Sequence, residues 1–252
     1  MSNETIARQL AHRTIRAFSD QTVNDQTMTE LFAVMNRTAT STGMQSYSVI
    51  RIQSLVKRQA LAAICRQAYI AAVPQLMVFV VDVYRNSRIA ASQDCHLTAA
   101  RDMDRFFQGF TDAALAAQNM VVAAESLGLG TLFFGSLLND PDQVIELLEL
   151  PELTFPVVGV GLGYPAQEPQ LKPRLPLSMK VFSDRYDHNA FDPSLLEAYD
   201  QEMHVYYDLR DNGRRSDTFS RQVVTRLTQS LEKRAKILQS VRHQGFILGL
   251  DP

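Results

Sequence analysis

The sequence is poor in the residues that build metal centres and disulfide frameworks. Its 252 residues include two cysteines and five histidines. Cys65 and Cys95 lie far apart and form no C-x-x-C pair, which argues against a disulfide scaffold or thiolate metal site and makes the cytoplasm the expected compartment. The histidines form no H-E-x-x-H or H-x3-H pair, so no metal is expected. No apolar run approaches the ~20 residues that span a bilayer. The polar start Met1-Ser2-Asn3-Glu4 has no signal-peptide character, so no membrane association is expected. A formal net charge of −2 gives no global attraction to nucleic acid. Phosphate-binding glycine loops are missing too. There is no G-x-x-x-x-G-K-[ST]. Gly128-x-Gly130 follows an expected helix and precedes an expected strand, the reverse of a dinucleotide fingerprint. Gly161-x-Gly163 runs into Tyr164-Pro165, with Ala166 where the third glycine belongs. No Ser-His-Asp or Cys-His constellation is evident.

What is present is a local concentration of donors, His12-Arg13-Thr14-Ile15-Arg16, with Asp20 as the nearest acid. Residues 3–18 read as a helix, which would set His12 and Arg16 on one face. Such a cluster alone is compatible with a solvated basic surface. A second stiff basic segment, Lys172-Pro173-Arg174-Leu175-Pro176, makes a small anion the better reading, and guanidinium forks match phosphate oxygens.

The chain is 46% hydrophobic and 21% charged, as expected of a globular protein. Asn24 or Asp25 caps a helix carrying Met28, Leu31, Phe32 and Met35, which runs into a hydroxyl-rich loop, 38–43. Tyr47 to Ile52 reads as a strand, Ser54 opens a helix, and Leu76 to Val83 is a strand buried on both faces. Residues 85–98 read as an irregular connection. Asp102 to Leu127 is a long alanine-rich helix stopped by Gly128, with a core position and a subunit interface as equal readings. Thr131 to Phe134 and Phe155 to Gly163 are strands flanking a helix that starts with Pro141. Pro193 opens a helix, Arg210-Asp211-Asn212-Gly213-Arg214-Arg215 is a basic loop, and Ser216 caps one last long helix reaching Ile237. Gly245 to Gly249 reads as an apolar tail. The pattern is α+β, helices around a sheet, with a helical C-terminal extension.

Three motifs, His12-Arg13-Thr14-Ile15-Arg16, Glu125-Ser126-Leu127-Gly128-Leu129-Gly130 and Lys172-Pro173-Arg174-Leu175-Pro176, in that order and at those separations, resemble the oxygen-insensitive nitroreductase family, closest to its NADPH-dependent nitroreductase and flavin reductase branch. The resemblance implies a central mixed, mainly antiparallel sheet flanked by helices. It implies an FMN-binding core over 1–190 and a helical extension over 191–252 carrying NADPH and dimer contacts. It implies a homodimer with FMN at the subunit interface. His12, Arg13 and Thr14 would sit at the phosphate and ribityl end, with Lys172 and Arg174 neutralising the phosphate. Arg16 would approach the pyrimidine side of the ring, Gln67 and Tyr69 its polar edge, Ser41 and Thr42 the loop beside it. Gly135 and Ser136 would offer backbone N–H groups near N5, and Arg210, Arg214 and Arg215 would recognise NADPH. Departures from the pattern are Thr131 where a small glycine is expected, the bulky pair Phe133 and Phe134, Ser136 in place of a glycine, and a shorter 40–45 loop.

The implied activity is a ping-pong hydride transfer from NADPH to nitroaromatics, quinones or free flavin, small aromatic acceptors that share one site. Flavin carries that chemistry and the protein orients and tunes it. Two other readings fit parts of the sequence: a non-catalytic FMN carrier or sensor, and a helical interaction protein using the 245–249 tail.

Overall fold

The computed structural model describes residues 3–206 and 216–249. The chain forms two compact units, one of residues 1–167 with 231–252 and one of residues 168–230.

The first unit is built on a four-stranded sheet of β1 (Tyr47–Arg51), β2 (Gln75–Asp82), β3 (Gly130–Phe134) and β4 (Thr154–Gly163), in the order β1-β2-β4-β3. Every ladder is antiparallel. A parallel element enters through single bridges, Thr14 to Thr131 and Asp102 to Ile247. β2 is buried along its whole length, as its unbroken apolar run requires. Its side chains alternate between two cores. Met77, Phe79 and Val81 face one, against Ala113, Ala116, Ala117 and Met120 of α5 (Met103–Ser126). Leu76, Val78 and Val80 face the other, with Leu61 of α3 (Leu55–Cys65), Leu132 and Phe134. Ala113, Ala116, Ala117 and Ala124 of α5 are therefore core residues that bring the helix close to the sheet, while Phe107 and Leu115 on its outer face stay 60% and 49% exposed. A register shift between Phe79 and Val80 falls where Pro156 of β4, having no N–H, interrupts the ladder.

The paired glycines of β4 have a packing role. A Cβ at Gly159 would lie 1.9 Å from the Phe134 ring, and one at Gly161 would lie 2.7 Å from Val73. Bare backbone lets β3 and the 68–74 segment settle on this strand, which accounts for glycines that fit no dinucleotide pattern.

Several expected elements form as read. Asn24 caps α2 (Asp25–Met35) by accepting from Thr27 N at 2.8 Å. Ser54 caps α3, and Gly128, at φ +78°, ends the α5 segment. Asp140 caps α6 (Pro141–Leu147) with Pro141 in its first turn.

Three readings need correction. The N-terminal helix α1 covers only Glu4–Leu10. Beyond it, Ile15 N donates to Thr131 O at 2.8 Å, and Ile15 packs over Gly130. Residues 12–18 thus leave the helix to line the sheet edge. Residues 85–98 are not irregular throughout, since α4 (Val83–Ala91) starts directly from β2. Asp82 closes the strand and caps the helix at once, accepting from Arg85 N at 2.8 Å. The last long helix is three helices, α8 (Phe219–Thr228), α9 (Glu232–Ala235) and α10 (Ile237–His243), and the cap of α8 is Thr218 rather than Ser216. Extended backbone at Gln229 and Leu231 divides it.

The 245–249 tail is partly buried. Phe246 is buried against the Phe106 ring at 5.1 Å, and Ile247 N donates to Arg101 O at 2.8 Å. That placement anchors the tail to the first unit through Phe246, while Ile247 stays 58% exposed. The second unit holds α7 (Pro193–Val205) and α8, joined by Ser220 N donating to Asp200 at 2.9 Å and by a Tyr199–Phe219 ring contact at 5.2 Å. No helix among the described residues is long and apolar enough to cross a membrane.

Candidate functional site

The segment after α1 carries the donor cluster along the edge of the sheet. Thr14 bridges Thr131, Ala166 N donates to Ala17 O at 3.0 Å, and Ser19 N donates to Tyr164 O at 2.9 Å. His12 and Arg16 are therefore presented by this non-helical run beside β3. His12 Nδ1 lies 2.7 Å from Glu125 Oε1. Arg13 donates to Ala11 O at 2.9 Å. The Arg16 guanidinium sits 6.0 Å from the centre of the Tyr69 ring, within cation–π range.

Tyr69 and Gln67 arrive from the other side, in the connection between α3 and β2. Arg66 turns the chain there in a left-handed conformation, φ 54°. Gln67 precedes a short 3-10 turn, Ala68–Ala72, which carries Tyr69. Gln67 Oε1 accepts from Ser136 Oγ at 2.9 Å. Ser136 belongs to the 3-10 turn Gly135–Asn139 that follows β3 directly. The contacts run in a ring, from Thr14 to β3, along β3 to Gly135 and Ser136, from Ser136 to Gln67, and from neighbouring Tyr69 back to Arg16. A side chain at Gly135 would meet nothing within 4 Å, so this turn exposes its backbone to open space.

Residues that sequence reasoning passed over support this ring. Arg234 of α9 donates to Gly135 O at 3.3 Å and to Asn139 Oδ1 at 3.2 Å. Lys233 pairs with Asp140. Burial works to raise the Asp140 carboxyl, but hydrogen bonds from Lys233 and Gln143 outweigh it and hold the group below the usual carboxylate range. Beneath the turn, burial pushes the Cys65 thiol up to about 11, against a weaker opposing pull from Ser136. Cys65 is accordingly a packing residue, inert as a thiolate near neutrality. The adjacent Lys233 and Arg234 were a visible cationic pair, but their destination depends on how α9 returns to the first unit.

Other expected site residues lie elsewhere. Ser41 and Thr42 form a tight turn with Thr42 at φ 51°. The fully buried Asp112 holds this loop, accepting from Ser41 N at 2.8 Å and Ser46 N at 3.1 Å. Asp112 and Glu125 are thirteen positions apart on α5, about 20 Å at the rise of an α-helix. One chain therefore does not gather Ser41 and Thr42 with His12. Lys172 and Arg174 belong to the second unit, where Arg174 donates to Lys172 O and Pro173 O at 3.3 Å and Tyr199 OH donates to Pro173 O at 3.3 Å. Burial raises the Tyr199 hydroxyl pKa, with Arg174 opposing. Arg210, Arg214 and Arg215 lie outside the described residues.

With this geometry in place, comparison with known proteins is decisive on lineage. The nitroreductase family model matches residues 10–164, and the model of the nitroreductase family C-terminal domain matches residues 172–249. The chain belongs to the nitroreductase family. It is 33% identical to the FMN reductase (NADPH) of Bacillus subtilis, over 97% of this chain and 98% of the relative. It is 36% identical to the oxygen-insensitive NADPH nitroreductase of Salmonella typhimurium, over 96% and 98%. Among solved structures it is similar to the NfrA1 nitroreductase of B. subtilis, with a TM-score of 0.87 and 33% identity over 96% of this chain and 99% of that one. The NADPH:FMN oxidoreductase of Vibrio harveyi in complex with NAD+ gives 0.84 and 32% identity, over 97% and 99%.

Proposed function

We propose that the chain is an FMN-dependent NADPH oxidoreductase that reduces small aromatic acceptors such as nitroaromatics, quinones or free flavin. The observation that carries this reading is the ring of contacts joining Arg16, Tyr69, Gln67 and Ser136 beside the open backbone of Gly135. That donor set suits the flavin ring of FMN: a cation, amide and hydroxyl groups for its polar edge, and bare backbone for close approach. The names of the B. subtilis, S. typhimurium and V. harveyi relatives, all reductases that use NADPH, support the same donor.

FMN, when bound, supplies the hydride chemistry. The protein's share is binding and electrostatics. His12, Arg13 and Thr14 take the phosphate and ribityl end, and Lys172 and Arg174 are assigned to the phosphate. Arg16 places a fixed cation at the pyrimidine edge, held in orientation by Tyr69. Gln67 and Tyr69 would hold the polar edge, and Gly135 and Ser136 would offer N–H groups to the ring. We assign cofactor holding to residues 1–190 and donor recognition with dimer contacts to 191–252.

The working unit in this reading is a homodimer in the cytoplasm. Ser41 and Thr42 reach the flavin only from a second copy, since one chain keeps them far along α5 from His12. The exposed apolar residues Phe107 and Leu115 of α5, and Val224 and Leu227 of α8 at 61% and 82%, suit such an interface.

Donor recognition is assigned to Arg210, Arg214 and Arg215, which clamp the adenosine 2′-phosphate. The double variant Arg210→Ala/Arg214→Ala should raise the Michaelis constant for NADPH by about tenfold or more, the scale of a lost charge-assisted bond. The constant for NADH should hardly change. Equal changes for both donors would remove the clamp from the account.

A further inference from the structure

Thr131 departs from the family pattern, and its surroundings assign it a task. It is fully buried, so its hydroxyl needs a partner. That hydroxyl lies 2.5 Å from Glu125 Oε1. The same carboxylate oxygen lies 2.7 Å from His12 Nδ1. Glu125 is 14% exposed and His12 31%, so the carboxylate is sheltered while the imidazole still reaches the surface. An ionised carboxylate only accepts hydrogen bonds. Nδ1 therefore carries a proton toward Glu125, and the opposite edge of the ring, Nε2, is turned away from it. Thr131 fixes the carboxylate, the carboxylate fixes the ring, and the Thr14–Thr131 bridge fixes the segment that carries the ring.

We propose that Glu125 and Thr131 are positioning residues that set His12 as a handle on the cofactor's phosphate, and so make the chain select FMN over unphosphorylated riboflavin. The inference rests on the FMN reading above. With Nδ1 held by Glu125, Nε2 is the ring nitrogen left to meet a phosphate oxygen. Riboflavin ends there in a neutral ribityl hydroxyl with no phosphate charge, so the trio favours FMN. A glycine in place of Thr131 would remove the hydroxyl that anchors the Glu125 carboxylate.

The test is a fluorescence-quenching titration of the flavin-stripped full chain with FMN and, separately, riboflavin. Wild type, Thr131→Val, Thr131→Ser, Glu125→Gln, His12→Ala and the His12→Ala/Glu125→Gln pair are compared. Thr131→Val and Glu125→Gln should each weaken FMN by about tenfold, the scale of a bond to a charged group, and leave riboflavin unchanged. Thr131→Ser should keep the wild-type preference. Adding Glu125→Gln to His12→Ala should cost nothing further, because the carboxylate acts through the ring. Equal weakening of both flavins would reveal a purely structural role and overturn the proposal, as would unchanged FMN binding in the two variants. A wild type that binds neither flavin would instead overturn the FMN reading itself.

Discussion

Replacing Arg16 with alanine should slow hydride transfer from NADPH by about 100-fold, the usual cost of removing one preorganised electrostatic group at a reacting centre. The effect follows from placement. Arg16 follows the residue that ties its segment to β3, and its guanidinium lies 6.0 Å from the centre of the Tyr69 ring. A cation restrained in this way would favour negative charge at the pyrimidine edge of a bound flavin without having to reorganise. Flavin content and transfer rate must be measured separately, by absorbance of the reconstituted variant and by stopped-flow under single turnover. Retained flavin with slow transfer is the expected outcome. A variant that binds flavin and transfers hydride at the wild-type rate would reduce Arg16 to a surface cation. Lysine at this position should recover only part of the rate, since it cannot stack on the tyrosine as a planar guanidinium does.

A second large effect concerns the floor of the site. Gly159→Ala should destabilise the protein by about 3 kcal/mol, at the upper end for overpacking a core. A Cβ there falls within the Phe134 ring, at 1.9 to 2.3 Å from three of its atoms. Phe134 is buried and immediately precedes Gly135, so it can yield only by moving the turn that presents Gly135 and Ser136. The melting temperature should fall by roughly 6–12 °C for a chain of this length, with flavin affinity falling alongside. Gly135→Ala is the contrasting control: open space surrounds that position, so stability should hold. Equal melting temperatures for Gly159→Ala and wild type would show that β3 does not sit on β4 as described.

What could be read from the residues alone follows a physical line. β2 and α5 were legible because their signals are local: an unbroken apolar run for one, a first-turn boundary at Asp102 and a stop at Gly128 for the other. α4 was hidden because Asp82 serves strand and helix together, with no turn residues between them. Residues 12–18 have helical spacing, but Ile15 and Ala17 bond through their backbones to Thr131 and Ala166, partners far away in the chain. The anchor of the apolar tail was hidden because nothing near it in sequence reveals the aromatic cluster that covers Phe246. The site divides in the same way. The basic motifs stood out as clusters of like residues. The pairing of His12 with Glu125 spans 113 positions, and the reach of Arg234 to Gly135 spans 99. Only the fold brings such partners together. Thr131 is the instructive case, an anomaly in the pattern that becomes intelligible once its hydroxyl is seen on Glu125.

The most direct measurement is the visible absorption spectrum of the purified protein after incubation with FMN and removal of excess flavin, before and after anaerobic addition of NADPH. The account predicts a protein-bound flavin band near one flavin per chain, bleached by NADPH and restored by a quinone or nitroaromatic. A colourless protein that retains no FMN, or a yellow one that NADPH fails to bleach, would contradict it.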